Sequence, residues 1–138
     1  MQRFVLDCSL CVSWLFPDEN DAYAESILTS IRQCEAFVPQ LWHLEIANTL
    51  LNGERDDRLS VAELQEGLSF LRSLFITTDS RTNEAAWDDT LSLARKHDLT
   101  VYDASYLELA LRHNLPIATL DKPLAKAAKK CGVEIFKP

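Results

Sequence analysis

Glycine is scarce in this chain: Gly53, Gly67 and Gly132 are the only three among 138 residues. Neither the G-x-G-x-x-G turn of dinucleotide-binding proteins nor a Walker phosphate loop can be assembled from glycines so placed, which excludes both nucleotide chemistries. Long apolar runs are missing as well. The longest stretch without a charged residue, Cys8 to Pro17, is ten residues, about half the roughly 20 that a bilayer-spanning helix needs. Asp7 breaks the first apolar run too early for a secretory signal, so the expected location is cytoplasmic, with no membrane attachment. The four cysteines, Cys8, Cys11, Cys34 and Cys131, are too few and too irregular for a disulfide framework and are expected to be reduced. Cys8-Ser9-Leu10-Cys11 has redox-motif spacing. It lacks the second C-x-x-C or paired histidines of a zinc site, since His43, His97 and His113 are scattered. Two small buried side chains account for it.

Positive charge is in short supply: 14 Lys and Arg stand against 21 Asp and Glu, for a net charge of −7. The deficit is uneven. Residues 1–90 hold 6 basic and 16 acidic residues, whereas residues 91–138 hold 8 basic and 5 acidic ones. The basic residues of the last third, Arg112, Lys122, Lys126, Lys129, Lys130 and Lys137, suit either a polyanion or a plainly solvated helix face. Composition does not choose between them.

What is present is an alternation of short β-rich runs with helix-period segments. Phe4-Val5-Leu6 reads as a buried strand ending at Asp7, followed by a helix from Ser9 to Phe16 that Pro17 stops. Residues 21–33 read as a helix, Ala36-Phe37-Val38 as a strand, and Gln40 to Asn52 as a helix with Gly53 just past its end. Ser60-Val61-Ala62-Glu63 is a capping box opening a helix to about Ser73. Leu74–Thr77 is a strand, Thr82–Lys96 a helix, and Leu99–Tyr102 an extended piece or a turn into a helix over Ala104–His113. A strand at Pro116–Leu120, a helix at Lys122–Lys130 and a strand at Val133–Phe136 complete the chain. Alternation of this kind predicts an α/β fold with a parallel sheet covered on both faces. With no linker or repeat, residues 1–138 are expected to form a single domain.

Ligands of such sheets bind beyond the carboxyl ends of the strands. Asp7 and Asp121 follow strands there, and Asp103 opens a helix. Helix capping explains any one of them; three at one rim are harder to assign to capping alone. Glu45 lies on the Gln40–Asn52 helix, which is apolar over most of its circumference and so expected to be buried on more than one side, in the core or against a partner. Asn48 and Asn52 continue its polar stripe. A carboxylate there needs a cation or strong donors, with Arg95 or Arg112 as possible ion-pair partners. Converging carboxylates repel unless they share a cation. Hard oxygen ligands suit Mg²⁺ or Mn²⁺ rather than zinc, and the reaction class this suggests is metal-dependent phosphodiester hydrolysis. A dehalogenase-type phosphatase would need a second aspartate where Ser9 stands, and a receiver domain an acidic pair that Gln2-Arg3-Phe4 does not offer.

Four segments together resemble the PIN-domain ribonucleases, and in particular the VapC-type toxins of toxin–antitoxin pairs. They are Phe4–Ser9 with Trp14 and Pro17-Asp18-Glu19, Val38–Asn48, Thr100–Tyr106 with Leu109-Ala110, and Pro116–Leu124. The resemblance spans nearly the whole chain. It implies a three-layer α/β/α sandwich and an Mg²⁺- or Mn²⁺-dependent endoribonuclease acting on single-stranded RNA. Its acidic positions fall on Asp7, Glu45, Asp103 and Asp121, as catalytic residues and metal ligands. Ser9, Thr119 and Asn48 match its supporting polar residues. A homodimer and a cognate antitoxin protein are further expectations of the resemblance. Cys8 and Cys11 stand where the family has small or aliphatic residues, which implies oxidation sensitivity near the site. The alternative is a catalytically silent PIN-like module that binds RNA or protein, which the intact set of four acids disfavours.

Overall fold

The computed structural model describes the whole chain, Met1–Pro138. Four parallel strands, β1 (Gln2–Leu6), β2 (Cys34–Val38), β3 (Ile76–Thr78) and β4 (Ile117–Ala118), form a sheet in the order β3-β2-β1-β4. Phe4 lies opposite Ala36, Phe37 opposite Thr77, and Val5 opposite Ile117. Phe4, Val5 and Leu6 are wholly buried, as expected for the central strand of a parallel sheet covered on both faces. The helices are α1 (Cys8–Leu15), α2 (Ala22–Ser30), α3 (Trp42–Arg55), α4 (Val61–Arg72), α5 (Thr82–Ala85), α6 (Leu91–His97), α7 (Val101–His113) and α8 (Lys122–Lys130). They pack as two groups, α1–α4 and α5–α8, giving the three-layer α/β/α arrangement. β1 to β2 to β3 runs outward in one direction, and the chain then crosses to the other side of β1 for β4. The carboxyl ends of β1 and β4 therefore flank the topological switch point, where open α/β sheets place their ligand crevice.

Several local expectations are corrected. Gly53 does not stop α3. It sits inside the helix, buried, because the Phe16 ring lies against it: a Cβ there would come within 2.3 Å of the Phe16 ring carbon Cε1. The residue is glycine for close packing, not for a left-handed turn. Within the monomer α3 is buried on one side only, so a second buried side would have to lie against a partner. Trp42, Ile46, Leu50 and Gly53 face inward, while Leu44 is 75% exposed and Ala47 and Leu51 also meet solvent. The helix enclosed on most sides is α7, whose run from Ala104 to Ala110 is entirely buried. The Thr82–Lys96 helix is interrupted by a π turn at Ala86–Thr90, which carries the outward-facing Trp87. The expected strand at Val133–Phe136 contracts to one bridge between Ile135 and Ile117, although Phe136 stacks on Phe4 with ring centroids 4.2 Å apart.

Candidate active site

Asp7 occupies the N-cap position of α1 yet makes no capping hydrogen bond. Its side chain is 5% exposed, and its Oδ2 accepts from Ser9 Oγ and from Thr119 Oγ1, each at 2.7 Å. Both hydroxyls are themselves fixed by backbone amides. Ser9 Oγ accepts from the Leu120 N–H at 2.9 Å, and Thr119 Oγ1 from the Asp121 N–H at 2.9 Å. With an amide filling an acceptor site of each hydroxyl, its proton points at Asp7. Oδ2 is thus held by two donors from different strand ends, and Oδ1 is left without a protein donor.

Asp121 caps α8, accepting from the Leu124 N–H at 3.0 Å, so the capping reading holds there. Asp103 is a different case. The expected boundary of its helix shifts: α7 begins at Val101, with Thr100 as the cap, and Thr100 Oγ1 accepts from the Asp103 N–H at 3.0 Å. Asp103 sits in the first turn with its carboxylate free of capping. Glu45, in the first turn of α3, accepts a short hydrogen bond from the Tyr106 hydroxyl. Neither Arg95 nor Arg112 pairs with it. Arg112 instead holds Glu108 at 2.7 Å and Asp79 at 2.7 Å. Asn48 lies exposed one turn along α3 and makes no hydrogen bond to the acids. Tyr106 carried no role in the sequence reading. The signal was its spacing, because i to i+3 on one helix sets it on the same side as Asp103.

The four acids share an electrostatic field. Burial pushes the Asp7 carboxyl up, the Ser9 and Thr119 hydrogen bonds oppose this, and the charges of Asp103 and Asp121 raise it further. Burial likewise raises Glu45 to about 7, against the Tyr106 hydrogen bond and with the charges of Asp7 and Asp103. Asp103 is raised by burial and then by Asp121, against the hydrogen bond with Thr100. Mutual elevation of this kind is what crowded carboxylates show when no cation neutralises them. No three of the acids, cysteines or histidines close into a ready chelate. The acids offer oxygen donors alone, and that chemistry suits a hard cation such as Mg²⁺ rather than zinc. Cys8 is buried, and its thiol is pushed up to about 12 by burial and by Glu45 and Asp7; Cys11 is raised by burial as well. All four cysteines are free. Burial and the neighbouring acids favour the protonated thiols at Cys8 and Cys11.

The fold and site define an α/β protein with a parallel sheet, acids at its carboxyl edge and no basic residue hydrogen-bonded to them. The chain belongs to the PIN domain family, which matches residues 4–130. Ribonuclease VapC3 of Pyrobaculum aerophilum is similar to it, 29% identical over 124 residues that cover 90% of this chain and 93% of that protein. The fold resembles the crystal structure of VapC20 of Mycobacterium tuberculosis, a toxin that cleaves the sarcin–ricin loop. The TM-score is 0.66 at 13% identity, covering 98% of this chain and 99% of that one. It also resembles a chain of a toxin–antitoxin complex from Klebsiella pneumoniae, with a TM-score of 0.60 at 16% identity over 88% of this chain and 90% of that one.

Proposed function

We propose that this protein is an Mg²⁺- or Mn²⁺-dependent endoribonuclease that hydrolyses single-stranded RNA, acting as the toxin of a toxin–antitoxin pair in the cytoplasm. The observation that carries the reading is Asp7: a carboxylate at the switch point that forgoes its helix cap and is raised by burial first and then by the charges of Asp103 and Asp121. Asp7, Asp103 and Asp121, with Glu45 from the α3 side, are the residues that would hold the cation. When bound, it supplies polarisation of the scissile phosphoryl oxygen and a lowered pKa for an attacking water. Ser9 and Thr119 keep Asp7 in one rotamer, leaving Oδ1 free for the site. Tyr106 fixes one oxygen of Glu45. The other oxygen of Glu45 is left to face the cation, whose charge would offset the burial and the neighbouring acids that raise this carboxyl in the metal-free protein. Likeness to a VapC ribonuclease supports an antitoxin partner. A silent binding module would have no use for carboxylates kept at this energetic cost.

Asp7→Asn separates the readings. Asparagine retains both hydroxyl hydrogen bonds and removes one charge. Cleavage of a single-stranded oligoribonucleotide in Mn²⁺ should fall by about a hundredfold or more. The fold should survive, and millimolar Mn²⁺ should raise the melting temperature of the parent far more than that of the variant. Parental cleavage rates in the variant would remove the acids from the mechanism.

A further inference from the structure

A groove of about 600 Å³ lies between the carboxyl end of α6 and the exposed face of α8. Lys96, His97, Lys122, Lys126 and Lys130 line it, and Asp98 is its one acid. In a chain of net charge −7, this is a local reversal of sign. None of these lysines makes an ion pair, and all the ion pairs of the molecule are made by arginines. Lys122, Lys126 and Lys130 fall at i, i+4 and i+8, a single stripe on α8 opposite the buried Leu124, Ala127 and Ala128. Like charges at that spacing destabilise a helix. Lys122 also stands at the first position of α8, where the helix dipole disfavours a cation. The protein keeps this repulsive arrangement although acids are plentiful elsewhere on its surface.

The stripe has a direction. Asp121 caps α8 immediately before Lys122, so the row of lysines starts at the acidic site and leads away from it, reaching about 13 Å along the helix axis by Lys130. We propose that this groove is the track for the RNA strand beyond the scissile bond, its lysines neutralising successive backbone phosphates; this rests on the ribonuclease reading above. The acids at the sheet edge repel an approaching polyanion, and the lysines nearest them supply a compensating attraction, since exposed charges are largely screened beyond a Debye length of about 8 Å at physiological salt. Contacts of this sort are to phosphate, so the groove contributes affinity and register without reading bases.

The test is the triple variant Lys96→Gln, Lys126→Gln, Lys130→Gln, which spares Lys122 beside the site, with Lys129→Gln, Lys137→Gln as control. A fluorescein-labelled single-stranded oligoribonucleotide serves both for binding by anisotropy in EDTA and for cleavage in Mn²⁺. The triple variant should raise KM about tenfold with kcat nearly unchanged, and the slope of log affinity against log salt should fall by about two. The control should do neither. Unchanged KM and salt slope in the triple variant, while the parent still cleaves, would overturn the groove and leave the ribonuclease reading intact. A parent that binds with a steep salt slope lost in the variant, but never cleaves, would do the reverse. Loss of complex with a co-expressed antitoxin, with RNA binding unaltered, would overturn the proposal by assigning the groove to a protein.

Discussion

At the scale of single residues, the site depends on where side chains spend their hydrogen bonds. Asp7, Asp103 and Asp121 are alike in sequence and differ in the structure. Asp121 caps a helix, Asp103 leaves the cap to Thr100, and Asp7 abandons it for Ser9 and Thr119. Tyr106 does for Glu45 what the hydroxyls do for Asp7. Its hydrogen bond lowers the Glu45 carboxyl, which burial otherwise lifts, to about 7. In Tyr106→Phe the carboxyl should rise further, so the acid limb of the cleavage profile should move to higher pH while activity at high pH recovers. The linkage has a definite sign. A carboxyl raised on folding binds more protons in the native state, so this contribution to stability is present below about pH 4.5 and lost as pH rises through 7. In EDTA the loss in Tyr106→Phe should extend to higher pH than in the parent. Denaturant midpoints at pH 5, 7 and 9 would show it, and superimposable profiles would deny Tyr106 a positioning role.

At the scale of elements, two contacts fix how the pieces pack. The first is α1 against α3, where Phe16 lies on the bare backbone of Gly53, with Arg58 stacked over its ring at 4.4 Å. Gly53→Ala should gain about 1 kcal/mol of helix propensity and lose more to overpacking, about 1–3 kcal/mol. The net effect should be destabilising, and Phe16→Leu in the same chain should recover part of it. A more stable single variant would show that the ring moves aside freely. The second contact ties the end of edge strand β3 to α7. Arg112 donates to Asp79 at 2.7 and 2.8 Å and to Glu108, and Thr82 adds a hydrogen bond to Asp79 at 2.8 Å. Burial alone would raise Asp79, but the hydrogen bonds from Arg112 and Thr82 hold it at about 2. A depressed carboxyl stabilises the fold above its unfolded value near 3.8 and ceases to do so as pH falls through 2. The parent should therefore lose stability between about pH 4 and 2. Arg112→Met should lose about 3 kcal/mol at neutral pH by stranding two buried acids, and its acid loss should be shallower.

At the scale of the whole molecule, α3 presents a second apolar stripe to solvent. Leu44, Ala47 and Leu51, at i, i+3 and i+7, lie opposite its buried face. A stripe of this spacing is self-complementary about a two-fold axis, which supports a homodimer joined through α3. Sedimentation at micromolar concentration should give twice the 15.7 kDa chain mass, and Leu44→Asp should give the monomer. A parent that sediments as a monomer would leave the stripe without this partner.

How much of this was legible in the sequence follows from which forces are local. Period and capping are local, so the alternation of strands and helices, the Ser60 capping box and the strand ending at Asp7 could be read directly. Asp7, Asp103 and Asp121 could be named because strand ends and helix starts mark the sheet rim, Glu45 because it begins a polar stripe on an otherwise apolar helix, and the PIN resemblance followed from the residues around them. What those acids do with their side chains was not readable. Whether Asp7 caps α1 depends on Thr119, 112 positions away, and the donor to Glu45 comes from Tyr106, 61 positions away. Gly53 looked like a helix stop because its neighbours in sequence say nothing of Phe16. The lysines of α8 suited a polyanion or a solvated face equally until α6 brought Lys96 and His97 alongside them. The sequence by itself determined the order of strands and helices and the family, and it named the acids as candidates, since these follow from short-range pattern. Only the tertiary structure decided how the acids are held, which helix is enclosed and where positive charge accumulates, because each depends on contacts between segments distant along the chain.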